Sequence, residues 1–311
     1  MTKRPLGNSG IEIAPLVFGG NVFGWTADKA TSHALLDRFV EAGLDAIDTA
    51  DVYSRWVPGN QGGESEAIIG EWLAASPRRR DQVVIITKVG SDQGLAGKRV
   101  LEAAEASLKR LRTDYIDVYI AHKPDPHTPI EKTLRAFEQL MQQGKVRAIG
   151  SSNDSAVQLR QALDVAASQG LPRFEVQQPE YNLYDRSGYE EALRELCIAE
   201  GLGVITYYSL ASGFLSGKYR SSEDLKQSAR GASVGRYLDA RGFRILEALD
   251  EVAQAHAAKP AEVALAWLIA REGVTAPIAS ATRIEQLESL VRATRLTLAR
   301  EEIDRLTAVS E

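Results

Sequence analysis

Cysteine is nearly absent: Cys197 stands alone in 311 residues. No internal disulfide can form, and a chain of this length can bury a sizeable core without one. Cys197 falls on the apolar side of "EALRELCIAEG" and reads as an inert core thiol. Histidine is scarce too. His33, His122, His127 and His256 show no metal-ligand spacing, so no metal site is expected. No apolar run reaches the roughly 18 residues that a membrane helix needs. The opening "MTKRPLGNSGIEIAPL" lacks the long apolar stretch of a signal peptide. The net charge of −5 offers no basic excess for nucleic acid or an anionic membrane. From these absences a cytoplasmic protein is expected. Neither a linker nor a low-complexity segment interrupts residues 1–311, so a single domain is expected.

What is present is a rhythm. A short hairpin turns at "GNSG", and strand-like and helix-like segments then alternate. The strand candidates are 16–20, 44–48, 82–88, 115–122, 146–153, 174–182, 203–210 and 275–280. Helical patterns follow at 31–43, 62–76, 98–112, 129–144, 156–170, 189–201 and 283–293. A polar segment from Ala211 to about Arg241 breaks the rhythm, and extra helices are expected at 243–257, 261–272 and 299–310. Eight alternating units imply an α/β protein of (β/α)₈ TIM-barrel type, with an N-terminal hairpin and added helices in its C-terminal half. A doubly wound sheet would carry a glycine fingerprint after its first strand. "GGNVFG" (19–24) has the wrong spacing for one and no immediate helix.

In a (β/α)₈ barrel the chemistry sits where strands end. The second strand ends at Asp48, with Tyr53 in the following loop. The third ends at Lys88 and the fourth at His122. Each has a bland reading: a turn cap, a loop-packing phenol, a snorkelling lysine, a structural histidine. Together, on three successive strand ends, they make a general acid. A carboxylate keeps the lysine charged, the ammonium lowers the phenol's pKa, and the imidazole orients a carbonyl oxygen. No serine-elbow motif offers a nucleophile, so a hydride from a nicotinamide is the natural co-reactant. A Schiff base on Lys88 is a weaker alternative.

These residues resemble the catalytic tetrad of the aldo-keto reductase superfamily, and the likeness covers almost the whole chain. "DTADVYS" with "GGESEAIIG" resembles the family's second strand and next helix. "IGSSN", "QQPEYN" and "ITYYSLASGFLSGKY" resemble its fifth, sixth and seventh strand motifs. The resemblance implies an NADP(H)-dependent reductase of aldehydes or ketones with Tyr53 as the acid. It places Ser152, Asn153 and Gln178 on the nicotinamide carboxamide and Tyr207 against the nicotinamide face. Leu210, Ser212, Gly213 and Lys218 fall at the pyrophosphate, with Gly20, Asn21 and Asp48 also at the cofactor. "SATRIEQLESLVRA" resembles the adenosine-side stretch, which implies contacts from Ser280, Thr282, Arg283 and Gln286. Ser289 and Leu290 replace the family's Glu-Asn pair there, and Ser209 replaces a proline. Val22, Trp25 and Trp56 are expected to wall the substrate pocket. The family also holds regulatory subunits that bind NADPH and barely turn over. Those typically lack the tetrad histidine, which this chain keeps as His122.

Overall fold

Side chains alternate across a β-strand, so a closed barrel sorts its apolar residues into an inner and an outer set. The computed structural model describes residues 2–311. Strands β1 (Arg4–Pro5) and β2 (Glu12–Ile13) form an antiparallel hairpin. Eight parallel strands follow: β3 (Val17–Gly19), β4 (Ala46–Asp48), β5 (Val84–Val89), β6 (Ile116–Ala121), β7 (Val146–Ser152), β8 (Val176–Gln178), β9 (Gly203–Thr206) and β10 (Ala276–Ala279). They pair in chain order, and β10 returns to β3 to close the barrel. The chain is a (β/α)₈ TIM barrel with an N-terminal hairpin, as its alternating pattern predicts.

Val17, Ala46, Ile86, Val118, Ile120, Ala148, Val176 and Ile205 fill the barrel interior. Phe18, Ile47, Ile85, Tyr119, Ile149 and Val204 face outward beneath the helices. The hairpin contributes Leu6, Ile11 and Ile13 to the inner cluster and plugs the N-terminal end. Gly7, at a φ of +62°, makes that closure. A Cβ there would come within 2.6 Å of Gly203 N.

The helices between strands are α1 (Lys29–Glu41), α2 (Glu64–Ala74), α3 (Gly97–Leu111), α4 (Ile130–Gln142) and α5 (Ala156–Gln169). Next come α6 (Ser187–Glu190), α7 (Ala192–Ala199), α8 (Gly231–Val234), α9 (Ala240–Ala255), α10 (Pro260–Ala270), α11 (Ile284–Ala293) and α12 (Arg300–Val309). Three expectations need correcting. Helix α1 begins before Thr31, because Asp28 caps it and accepts a bond from Thr31 N at 2.8 Å. The strand expected over 174–182 keeps only Val176–Gln178, since Pro179 has no N–H with which to continue the ladder. The helix expected over 189–201 breaks at Glu191, next to Glu190, which Arg186 and Arg271 hold at 2.8 and 3.0 Å. The polar segment after β9 forms a strap of short turns and α8 across the barrel's C-terminal face.

Helices α2 and α3 touch through Gly70. A Cβ at this position would lie 2.0 Å from Arg110 O and 2.7 Å from the Leu111 carbonyl carbon. Both are backbone atoms and cannot swing aside. Gly70→Ala is therefore expected to destabilise the fold by about 1–3 kcal/mol, despite alanine's better helix propensity. Urea unfolding checks this: the midpoint should fall with an unchanged slope, and an unmoved midpoint would contradict the close approach.

Candidate active site

The period of two that fills the barrel also builds its mouth. On β4 the inward Ala46 is followed two residues on by Asp48, and on β5 Ile86 is followed by Lys88. Val118 and Ile120 lead to His122, Gly150 to Ser152, and Val176 to Gln178. The strands thus present a polar ring at their C-terminal ends, above the apolar interior.

Lys88 lies at the centre of this ring and is fully buried. Its Nζ donates to Asp48 Oδ2 at 2.7 Å, Thr49 O at 2.7 Å and Tyr53 Oη at 2.8 Å. An ammonium has three protons, and all three are placed. Burial pulls the Lys88 pKa down, while Asp48 opposes that by stabilising the charge. An amine so bonded is poorly set up as a Schiff-base nucleophile. Asp48 is itself buried, and its Oδ1 accepts from Gln178 Nε2 at 2.9 Å. The Tyr53 hydroxyl also reaches Asp48 Oδ2 at 3.3 Å.

One electrostatic expectation is reversed. The phenol of Tyr53 is raised well above its ordinary pKa, first by burial and then by the Asp48 charge. The resting site holds Tyr53 protonated, by burial first and by the Asp48 carboxylate second. His122 faces Tyr53 edge-on, with ring centroids 6.1 Å apart. Its pKa is pushed down to about 3 by burial and, secondarily, by the charges of Lys88 and Lys123. The imidazole is therefore neutral, and its buried Nδ1 has no partner among the described residues.

A cavity of about 860 Å³ opens above the ring. Asp48, Tyr53 and His122 line its floor, and Asn21, Val22 and Trp56 line one side. Ser152, Asn153, Gln178 and Tyr207 line it from β7 to β9, followed by Leu210, Ser212, Gly213 and Lys218. Ser280, Thr282, Arg283 and Gln286 line it after β10. Two expected contacts differ. Gly20 is buried against Asp48 O and Ser65 Oγ, and Gly19 lines the cavity instead. Trp25 sits behind Trp56, edge-on to it at 5.7 Å.

Several wall residues are already fixed. The Tyr207 hydroxyl donates to Asn153 Oδ1 at 2.6 Å, and Asn153 Nδ2 donates to His122 O and Ser152 Oγ. Ser280 Oγ donates to Gly19 O and Asn21 Oδ1, tying β10 to β3. Gln286 Oε1 accepts from both the N and the Oγ1 of Thr282. Tyr208, Ala211, Ser212 and Gly213 all have positive φ, and Ala211 N and Gly213 N close tight turns onto Tyr208 O and Leu210 O at 2.7 and 2.8 Å. The replaced position Ser289 donates to Glu262 at 2.6 Å.

Sequence reasoning missed Lys123, Arg230 and Lys259, which also line the cavity. They come from loops with no motif of their own, so position along the chain gave no signal. With Lys218 and Arg283 they outnumber the lining acids Asp48 and Glu285. In a chain of net charge −5 this local excess suits an anionic ligand.

The comparisons with known proteins bear on this geometry. The model of the Aldo/keto reductase family matches residues 15–311. The chain belongs to the aldo/keto reductase family. It is 33% identical over 310 residues to the uncharacterized oxidoreductase YrpG of Bacillus subtilis, covering 95% of this chain and 92% of that protein. It is equally 33% identical over 328 residues to a probable voltage-gated potassium channel subunit beta of Oryza sativa, covering 99% and 96%. Protein tas of Escherichia coli is 30% identical over 342 residues, covering 100% and 98%. An aldo/keto reductase oxidoreductase is therefore the coarse identity. Among the described residues, no helix is long and apolar enough to cross a membrane.

The depressed His122 pKa has a stability consequence. Below its ordinary pKa of 6.5 the unfolded imidazole takes up a proton that the folded one refuses down to about 3. Its contribution is thus present above pH 6.5 and lost as pH falls toward 3. Between pH 7 and 5 the loss is about 2 kcal/mol. Urea midpoints at the two pH values should show His122→Gln losing less stability than wild type by about that amount. Equal losses would contradict a buried neutral imidazole.

Proposed function

We propose that this chain is an NADP(H)-dependent reductase of aldehydes or ketones, with Tyr53 as the general acid. One observation carries the reading: a protonated phenol and a neutral imidazole face one cavity, with a buried ammonium 2.8 Å behind the phenol oxygen. When bound, a reduced nicotinamide supplies a hydride to the carbonyl carbon. The protein's own groups then handle the oxygen. His122 donates a hydrogen bond to it and polarises the carbonyl. As negative charge builds there, Tyr53 passes its proton to the oxygen. The phenolate left behind accepts from the Lys88 ammonium, which Asp48 keeps charged. The raised resting pKa of Tyr53 serves this order of events, because the proton stays in place until an alkoxide forms.

The cavity walls fit the cofactor by their donor chemistry. Asn153, Ser152 and Gln178 offer amide and hydroxyl groups to a carboxamide, and the Tyr207 ring offers a face for stacking. Lys218, which lines the cavity beside Ser212 and Gly213, offers a cation to a pyrophosphate. Arg283 and Lys259 stand at the adenosine side, where the charge of a 2′-phosphate would need cations.

A nicotinamide-binding regulatory subunit with little turnover is the alternative, supported by the name of the rice relative. Steady reduction of an aldehyde panel by this chain with NADPH would exclude it. In the enzyme, Tyr53→Phe should cut reduction by about 10²–10⁴-fold while leaving NADPH binding nearly unchanged. Retention of more than about a tenth of wild-type activity would remove Tyr53 from the role of acid.

The preference for NADPH rests on Arg283, which is exposed at the cavity edge. Solvent weakens such a contact, so Arg283→Ala should raise the NADPH Kd by roughly fivefold to tenfold. The NADH Kd should stay put, and the salt dependence of NADPH binding should flatten. Fluorescence titration measures all three. An equal change for both cofactors would count against a 2′-phosphate contact.

A further inference from the structure

The cation that sequence reasoning missed on the strap has no counter-charge among the described residues. Arg230 lines the cavity, and its Nη2 is buried without a hydrogen-bond partner among the described residues. No carboxylate among the described residues forms an ion pair with it; the groups acting on its charge are the phenols of Tyr208, Tyr219 and Tyr53. Burial lowers its pKa, although a guanidinium stays charged at any ordinary pH. A buried cation left unpaired is costly and is normally matched by an anion.

Its position is built rather than incidental. The Tyr219 and Ser228 hydroxyls are hydrogen-bonded at 2.6 Å, which pins the strap just before Arg230. Just after it, Gly231 packs so tightly on Leu225 O that no Cβ fits. The guanidinium carbon lies 5.3 Å above the Trp25 ring. Trp25 meets Trp56 edge-on at 5.7 Å, and Trp56 meets Tyr53 at 6.0 Å. Aromatic contacts therefore link the acid to the arginine through Trp56, which lines the cavity, and Trp25 behind it.

Granting the carbonyl reduction proposed above, we infer that the substrate is an anionic carbonyl compound. Its carbonyl lies at Tyr53, an apolar spacer lies along Trp56, and a carboxylate at the far end is received by Arg230. The planar fork of arginine suits a carboxylate, with two parallel charge-assisted bonds. The cofactor's phosphates are a poorer match, because Arg230 is joined by contact to the substrate-side aromatics. The Arg283 segment is instead joined through Ser280 to Gly19 and Asn21.

A matched pair of aldehydes isolates the charge: 4-carboxybenzaldehyde and its methyl ester, each with saturating NADPH. Wild type should favour the acid, chiefly through KM. Arg230→Met should lower the acid-to-ester ratio of kcat/KM at least tenfold while leaving the ester within twofold. Arg230→Lys should restore part of the ratio. An unchanged ratio in Arg230→Met overturns the inference. So does a several-fold rise in NADPH Kd without a change in the ratio, which would assign the arginine to the cofactor. If wild type reduces neither aldehyde, the carbonyl-reductase reading fails on its own. The arginine is then tested by calorimetric binding of benzoate to the NADP⁺ complex. Binding that Arg230→Met abolishes keeps an anion site at Arg230, and equal binding or none in both proteins removes it.

Discussion

One buried ammonium organises this molecule's mouth. Lys88 has no contact with water, so its charge survives only because three oxygens surround it, from Asp48, Thr49 and Tyr53. Those oxygens belong to β4 and the loop after it, while the lysine belongs to β5. The pairing of these two strands therefore fixes the site to within a hydrogen-bond length. Removing either charged partner would strand the other in a low-dielectric interior, which typically costs about 3–5 kcal/mol. The same pair that would serve catalysis also locks strand order at the barrel rim.

The electrostatics of the ring are set by burial before pairwise charge. Tyr53 and His122 both shift toward their neutral forms, and burial is the leading cause in each. A neutral donor pair facing a cavity is matched to an oxygen that gains charge during reaction. Around this floor the walls carry the cations Lys218, Arg230, Lys259 and Arg283. In the proposed reaction, anions would be drawn to the walls and proton transfer kept at the floor.

The strap after β9 shows how one insertion can carry several roles. Its first part turns through left-handed residues, and the N–H groups of Ala211 and Gly213 bond back within the segment. Its second part, pinned by Tyr219 and Ser228, brings Arg230 over the aromatic side of the cavity. Loops positioned by a rigid barrel commonly carry specificity in this way. The barrel fixes Tyr53 against Lys88, and the strap brings a distant arginine to the same cavity.

Much of this was legible in the chain. Eight strand–helix alternations identify the barrel, because period-two and helical patterns leave different traces in sequence. The tetrad was legible because Asp48, Lys88 and His122 end successive strands, and barrel closure carries strand ends to one face. The break at Glu191 was hidden, since an amphipathic pattern runs straight through it and only the arginines from elsewhere in the fold reveal it. The direction of the Tyr53 shift was hidden too, because sequence names the neighbours but not their distances or their burial. Arg230 and Lys259 were invisible as site residues for the same reason. Local chemistry along the chain determined the strands, the helices and the acid. Only folding decided which distant loop charges share the cavity, because proximity in space depends on contacts that no local pattern encodes.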